Sequence, residues 1–182
     1  MTSPSHRTRW TRRAALGLGL GLVAAAGIRR PAEAGPVSVG ELEFTTPATI
    51  TPTGTAAVVG SGWQWAGQSG SSGGVPATVV LARNDLDSIG ATEVLGLLLA
   101  GSVTGLLPDL ALQPSRKRAM PGGGEQTRVD VAYTAATDVT YHGTLLIATR
   151  ERTPAALLAV LGIDTLTAGG IEDILGSARW RG

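Results

Sequence analysis

Alternation of apolar and polar residues is clearest in the second half of the chain. Val129, Val131 and Tyr133 alternate with Arg128, Asp130 and Ala132, the spacing of a strand with one buried face. From Thr140 to Arg150, Tyr141, Leu145 and Ile147 again share one face, with Gly143 between them. Ala77 to Arg83 contains Thr78-Val79-Val80-Leu81, apolar and β-branched, and predicts another strand. Between Ala91 and Leu107 the apolar positions Val94, Leu97, Leu98 and Leu106 predict a helix with Glu93 in its first turn, ended by Pro108. Leu110 to Met120 predicts a strand with exposed Arg116-Lys117-Arg118, and Pro121-Gly122-Gly123-Gly124 turns the chain. Ala155 to Ile163 is an unbroken apolar run whose Ala and Leu suit a helix and whose length suits a buried strand. We read it as a strand. At the end, Thr167 can cap a helix with Ile171, Ile174, Leu175 and Ala178 on one face, and Leu166 can staple to Ile171.

The first half of the chain is more broken. Val37 to Thr53 is rich in Thr and Pro, and predicts one short edge strand in which Leu42 and Phe44 alternate with Glu41 and Glu43. Thr55 to Val59 and Trp63 to Ala66 are strand-like, separated by Gly60-Ser61-Gly62. A flexible loop follows from Gln68 to Gly74, and Asn84 to Asp87 reads as a turn. The pattern totals six or seven strands and two helices, with no internal repeat and no βαβα rhythm. The expected fold is therefore α+β, a mostly antiparallel sheet with two main helices packed on it.

The N-terminus changes the picture of where this body goes. Arg7, Arg9, Arg12 and Arg13 precede an uncharged stretch from Ala14 to Ile28, and Ala32-Glu33-Ala34 follows, the three-part layout of a cleavable secretory signal. The stretch is shorter than the ~20 residues of a permanent span. Thr11-Arg12-Arg13-Ala14-Ala15-Leu16 resembles the twin-arginine export consensus, with Arg12, Arg13 and Leu16 in the defining positions, and Ala32 and Ala34 supply the small residues for cleavage expected after Ala34. The expected organisation is a signal peptide over 1–34 and one domain over 35–182. Its partners in export would be the twin-arginine translocase and signal peptidase, leaving no stable membrane anchor after cleavage. Its destination would be the cell envelope or the extracellular space.

Composition then restricts the chemistry. The 182 residues contain no cysteine, which excludes disulfides, thiolate catalysis and cysteine-ligated metals. The first 34 residues hold six of the 15 basic and one of the 14 acidic residues, so the remainder has nine against thirteen, a formal −4. An acidic body with 4% aromatic residues lacks the footprint of a nucleic-acid binder. Past residue 34 the sole histidine is His142, inside a strand pattern, and it reads as structural. Gly70-Ser71-Ser72-Gly73-Gly74 has the spelling of a nucleophile elbow but leads from a loop into a strand, the wrong context. Asn84, Asp85 and Asp87 are too few for a calcium loop. No cofactor or metal is expected. Trp63 and Trp65, two apart on the expected strand, should point to one face and form either core or a surface for a ligand or partner.

In the order of its elements the chain resembles the PsbP-like fold, which includes actinobacterial envelope proteins of the LpqN kind. The points of likeness are Gly62-Trp63, the strand Thr78 to Arg83, the helix after it and the hairpin about Gly122 to Gly124. The closing helix running into Ala178-Arg179-Trp180 is another. The stretches Pro121-Gly122-Gly123-Gly124-Glu125 and Tyr141-His142-Gly143-Thr144-Leu145-Leu146 are similar to those of exported actinobacterial proteins. The resemblance covers most of residues 41 to 181 and brings no catalytic signature. It implies a non-enzymatic binding or accessory module for an envelope protein or an apolar ligand. The rival expectations are a hydrolase-type enzyme with a site near His142 and a purely structural interaction protein.

Overall fold

The computed structural model describes residues 35–53, 63–70, 75–87, 90–103, 111–113, 116–134, 139–163 and 168–182. The leader with Arg12, Arg13, Leu16, Ala32 and Ala34, the run Thr55 to Val59, residues 71–74, the end of the first helix at Pro108 and the cap at Thr167 lie outside them.

The most apolar stretch of the chain sits at the centre. Strand β10 (Thr153–Gly162) pairs with β5 (Thr78–Leu86) on one side and β9 (Thr140–Arg150) on the other. A hydrophobic core also packs on each of its faces, which is why its apolar run is unbroken rather than alternating. Ala155, Leu157, Ala159 and Leu161 point to one face, and Ala156, Leu158 and Val160 to the other. The sheet grows outward through β4 (Trp65–Ser69) to β3 (Thr51–Thr53), and through β8 (Glu125–Thr134) to β6 (Ala111–Leu112) and β7 (Arg116–Ala119). These eight strands pair antiparallel throughout.

One face is covered by α1 (Ala91–Val103), whose Val94 and Leu98 pack on Val79, Leu81, Leu145, Ile147 and their neighbours. The other is covered by α2 (Ala168–Gly176) and a three-stranded sheet of β1 (Gly35–Val39), β2 (Leu42–Thr46) and β11 (Arg179–Trp180). Phe44, Leu42, Leu175 and Trp180 fill this second core. The architecture is thus α+β, and the described residues form two helices and eleven strands where the pattern predicts six or seven strands.

The surplus comes from the first half and from the rim. Val37 to Thr53 holds three strands instead of one, because Gly40 at φ +57 closes a β1–β2 hairpin inside it. Leu110 to Met120 is split into β6 and β7, whose registers on β8 differ by one residue. Asn84 and Asp85 extend β5 instead of turning. The buried Asn84 side chain accepts the Glu41 N–H at 2.7 Å and donates to the Pro154 carbonyl at 2.7 Å. The Asn84 N–H in turn donates to Gln64 Oε1 at 2.8 Å. An Asx residue reads as a turn when its side chain bonds locally; here its partners are 43 and 70 residues away.

Candidate functional site

The two tryptophans do not share a face. Strand β4 begins at Trp65, so two-residue periodicity does not reach back to Trp63. Trp63 is buried under α1 in the first core, whereas the half-buried Trp65 packs against the second core. There Trp65 meets Phe44 edge to face with ring centroids 5.4 Å apart. Gly67 lies under the Trp65 ring, which contacts the position a Cβ would take. The described geometry makes Trp63 a core residue and Trp65 a bridge between β4 and β2.

His142 is exposed on the α2 side of β9, beside Ala132 of β8 and Gly162 of β10. The nearby polar contact, the Thr144 hydroxyl donating to Asp130 at 2.8 Å, does not include it. His142 therefore lies on the polar rim of the sheet, not in the interior that a structural histidine implies. Its hypothetical nucleophile Ser72 falls outside the described residues. No group of three or more His, Asp or Glu gathers among the described residues.

Two buried polar groups are structural anchors. Arg128, expected on a polar face, is covered by α2. It donates to Glu172 at 2.6 Å, to Gln126 Oε1 at 2.9 Å and to the Leu175 carbonyl at 3.2 Å. The last contact places a cation on a C-terminal carbonyl of α2, where the helix dipole favours it. On the opposite face the Tyr141 hydroxyl donates to the Pro76 carbonyl at 2.9 Å, and burial raises its pKa above 10.0.

The apolar surface comes from α1. Leu97 is 56% and Leu99 44% exposed, the large exposed hydrophobics among the described residues. Between them and the first turn, a Cβ on Gly96 would meet nothing within 4 Å. Leu97, which its spacing groups with the core-facing Val94 and Leu98, points outward instead. Three consecutive leucines span about 200° of a helix, so Leu97, Leu98 and Leu99 cannot all face one sheet. The readable signal was a helix apolar all round, with Glu93 its sole charge in the first turn.

Two shallow, open hollows lie beside the β7–β8 turn. One of about 420 Å³ is lined by Lys117, Arg118, Ala119, Gly124 and Glu125. A second, of about 600 Å³, shares Gly124 and Glu125 and extends to Thr149, Arg152 and Thr153 beside Gly90 at the start of α1. Among the described residues no helix is long and apolar enough to cross a membrane.

No family model matches the chain, and no curated protein matches it. Among solved structures, the solution structure of cyanobacterial PsbP (CyanoP) from Synechocystis sp. PCC 6803 superposes with a TM-score of 0.54 at 11% identity, covering 88% of this chain and 99% of that one. A crystal structure from Bacteroides thetaiotaomicron VPI-5482 gives 0.44 at 13% identity over 80% of this chain and 47% of the other. A Pseudomonas aeruginosa protein of unknown function gives 0.36 at 13% identity over 75% and 85%. The fold is PsbP-like.

Proposed function

We propose that the chain is an exported envelope or secreted protein whose body over 35–182 is a non-enzymatic binding module, and that it meets a protein partner through the outer face of α1. The carrying observation is the exposure of Leu97 and Leu99 on a helix whose inner side is already seated on the sheet. Covering the half of each leucine that is still exposed stabilises by about 1 kcal/mol, so the two beside an unobstructed Gly96 supply an anchor at which a partner's backbone can approach closely. Export rests on the leader: Arg12, Arg13 and Leu16 for the translocase, Ala32 and Ala34 for signal peptidase. The PsbP-like fold supports the reading as an analogy of architecture.

A photocrosslinking residue in place of Leu97, with a second variant carrying it at Asp173 on α2, tests the reading in whole cells. The Leu97 probe should give one discrete protein adduct in the envelope or medium fraction, and the Asp173 probe none. Converting Leu99 to Gln should remove the adduct without lowering the melting temperature. An Arg12→Lys, Arg13→Lys leader should leave the protein, without the adduct, in the cytoplasm. A lipid-sized adduct, or none, would replace the protein partner; normal export of the lysine form would remove the twin-arginine route.

A further inference from the structure

The cations of this acidic body are distributed unevenly. Residues 35–182 hold nine basic residues, and five of their arginines sit in ion pairs of 3.4 Å or closer. Arg83 pairs with Asp85, Arg128 with Glu172 and Arg150 with Glu41, while Arg179 and Arg181 both reach Glu43. The remaining cations concentrate on β7, with Arg152 apart at the β9–β10 turn. Arg116, 73% exposed, stands a loose 3.8 Å from Asp130, and Lys117 and Arg118 have no ion pair among the described residues. All four β7 residues are exposed.

Their place in the sheet gives this charge a direction. β7 pairs with β8 on one side and lies off the main strand path, so its other side is an edge among the described residues. The Met120 N–H donates to the Gly124 carbonyl at the hairpin turn. Because antiparallel pairs alternate, Met120, Arg118 and Arg116 turn their main-chain groups toward β8, and Lys117 and Ala119 turn theirs outward. Gln126 donates to the Ala119 carbonyl at 3.0 Å. Lys117 is left presenting both N–H and C=O at the rim. Its neighbours Arg116 and Arg118 lie opposite Arg128 and Gln126 and so share the α2 side of the sheet.

We propose that β7 is a docking edge for an extended acidic peptide segment, which adds as a further strand through the main chain of Lys117 and places alternate carboxylates against Arg116 and Arg118. The occupant follows from charge: neighbouring strands with like charges repel, so this triple cation opposes a basic strand and favours an acidic one over a neutral one. The Lys117 side chain lies on the opposite side, where the incoming strand's uncharged residues would sit. The surface is separate from α1, so this inference stands or falls independently of the reading above.

The probe is a fluorescein-labelled Thr-Glu-Val-Glu-Val-Glu-Thr peptide, titrated by anisotropy onto the full chain. Binding should be saturable, weaken with salt, and be absent for the Lys-for-Glu counterpart. Lys117→Gln should weaken it slightly, whereas Lys117→Pro, which removes the outward N–H at an edge position that tolerates proline, should weaken it by a further factor of about ten. Should the proline form lose its fold by circular dichroism, methylating alternate amide nitrogens of the peptide asks the same question from the other side, and the methylated peptide should lose binding. No saturable binding overturns the proposal. So does equal binding by the Gln and Pro forms, or retained binding of the methylated peptide, since either result leaves a polyanion patch with no added strand.

Discussion

The Tyr141 hydroxyl lies in the interior and donates to Pro76 at 2.9 Å, so the neutral phenol is the form the fold accommodates. Burial raises its pKa, and a group titrating higher in the folded than the unfolded state binds more protons when folded. Its contribution is complete below the unfolded value near ~10 and is lost as pH rises through the folded value. Tyr141→Phe should cost about 1 kcal/mol at neutral pH and flatten the fall in melting temperature above about pH 10. An unchanged alkaline slope would assign that fall to other groups. Tyr141 was legible from its alternation with Leu145 and Ile147, because β9 is regular from end to end. Trp63 and Trp65 were not, because the period of two holds only within a strand and β4 starts between them. Arg128 obeyed the alternation, but the side of the sheet assigned to solvent carries α2.

The β9–β10 hairpin is made tight by a residue in an unfavoured conformation. Arg152 has φ 58, the left-handed region that costs an L side chain roughly 1–2 kcal/mol and costs glycine almost nothing. Register shifts just past it, between Thr153 and Ala156, so the turn feeds directly into the central strand. Arg152→Gly should raise stability to chemical denaturation by about 1 kcal/mol with the sheet unchanged, and a loss of stability would mean that its side chain holds the turn. At Gly143 the opposite constraint applies. A Cβ there would collide with the Val160 carbonyl oxygen of β10, so the glycine marks a close approach between two strands. The central elements β5, β9 and β10 were readable because burial on both faces writes long apolar or alternating runs. The rim was not: β3, β6 and β11 are two or three residues long, too short to carry a period, and exist because neighbours supply their hydrogen bonds.

One sheet serves two cores, and the second is closed by the last residues of the chain. Trp180, 2% exposed, fills the space between Met120, Leu42 and Val39, with the Arg150 guanidinium 5.1 Å above its ring. The Trp180 main-chain N–H donates to the Pro121 carbonyl at 3.0 Å, which joins the three-stranded sheet to the β7–β8 turn. The fit at that turn is close, since a Cβ on Gly122 would meet the Trp180 carbonyl at 2.7 Å. Next to it the Arg181 main-chain N–H donates to the Glu41 carbonyl at 2.7 Å, holding the β1–β2 hairpin. Removing residues 179–182 deletes these links together with a buried indole, and should cost at least the ~3–5 kcal/mol of a core tryptophan. The loss should be uneven. Amides of β1 and β2 should exchange with solvent far faster in the truncated chain, while those of β5, β9 and β10 remain protected, because the α1-side core does not depend on Trp180. Uniform loss of protection would instead make the two cores a single cooperative unit, with the C-terminal strand as a support for both.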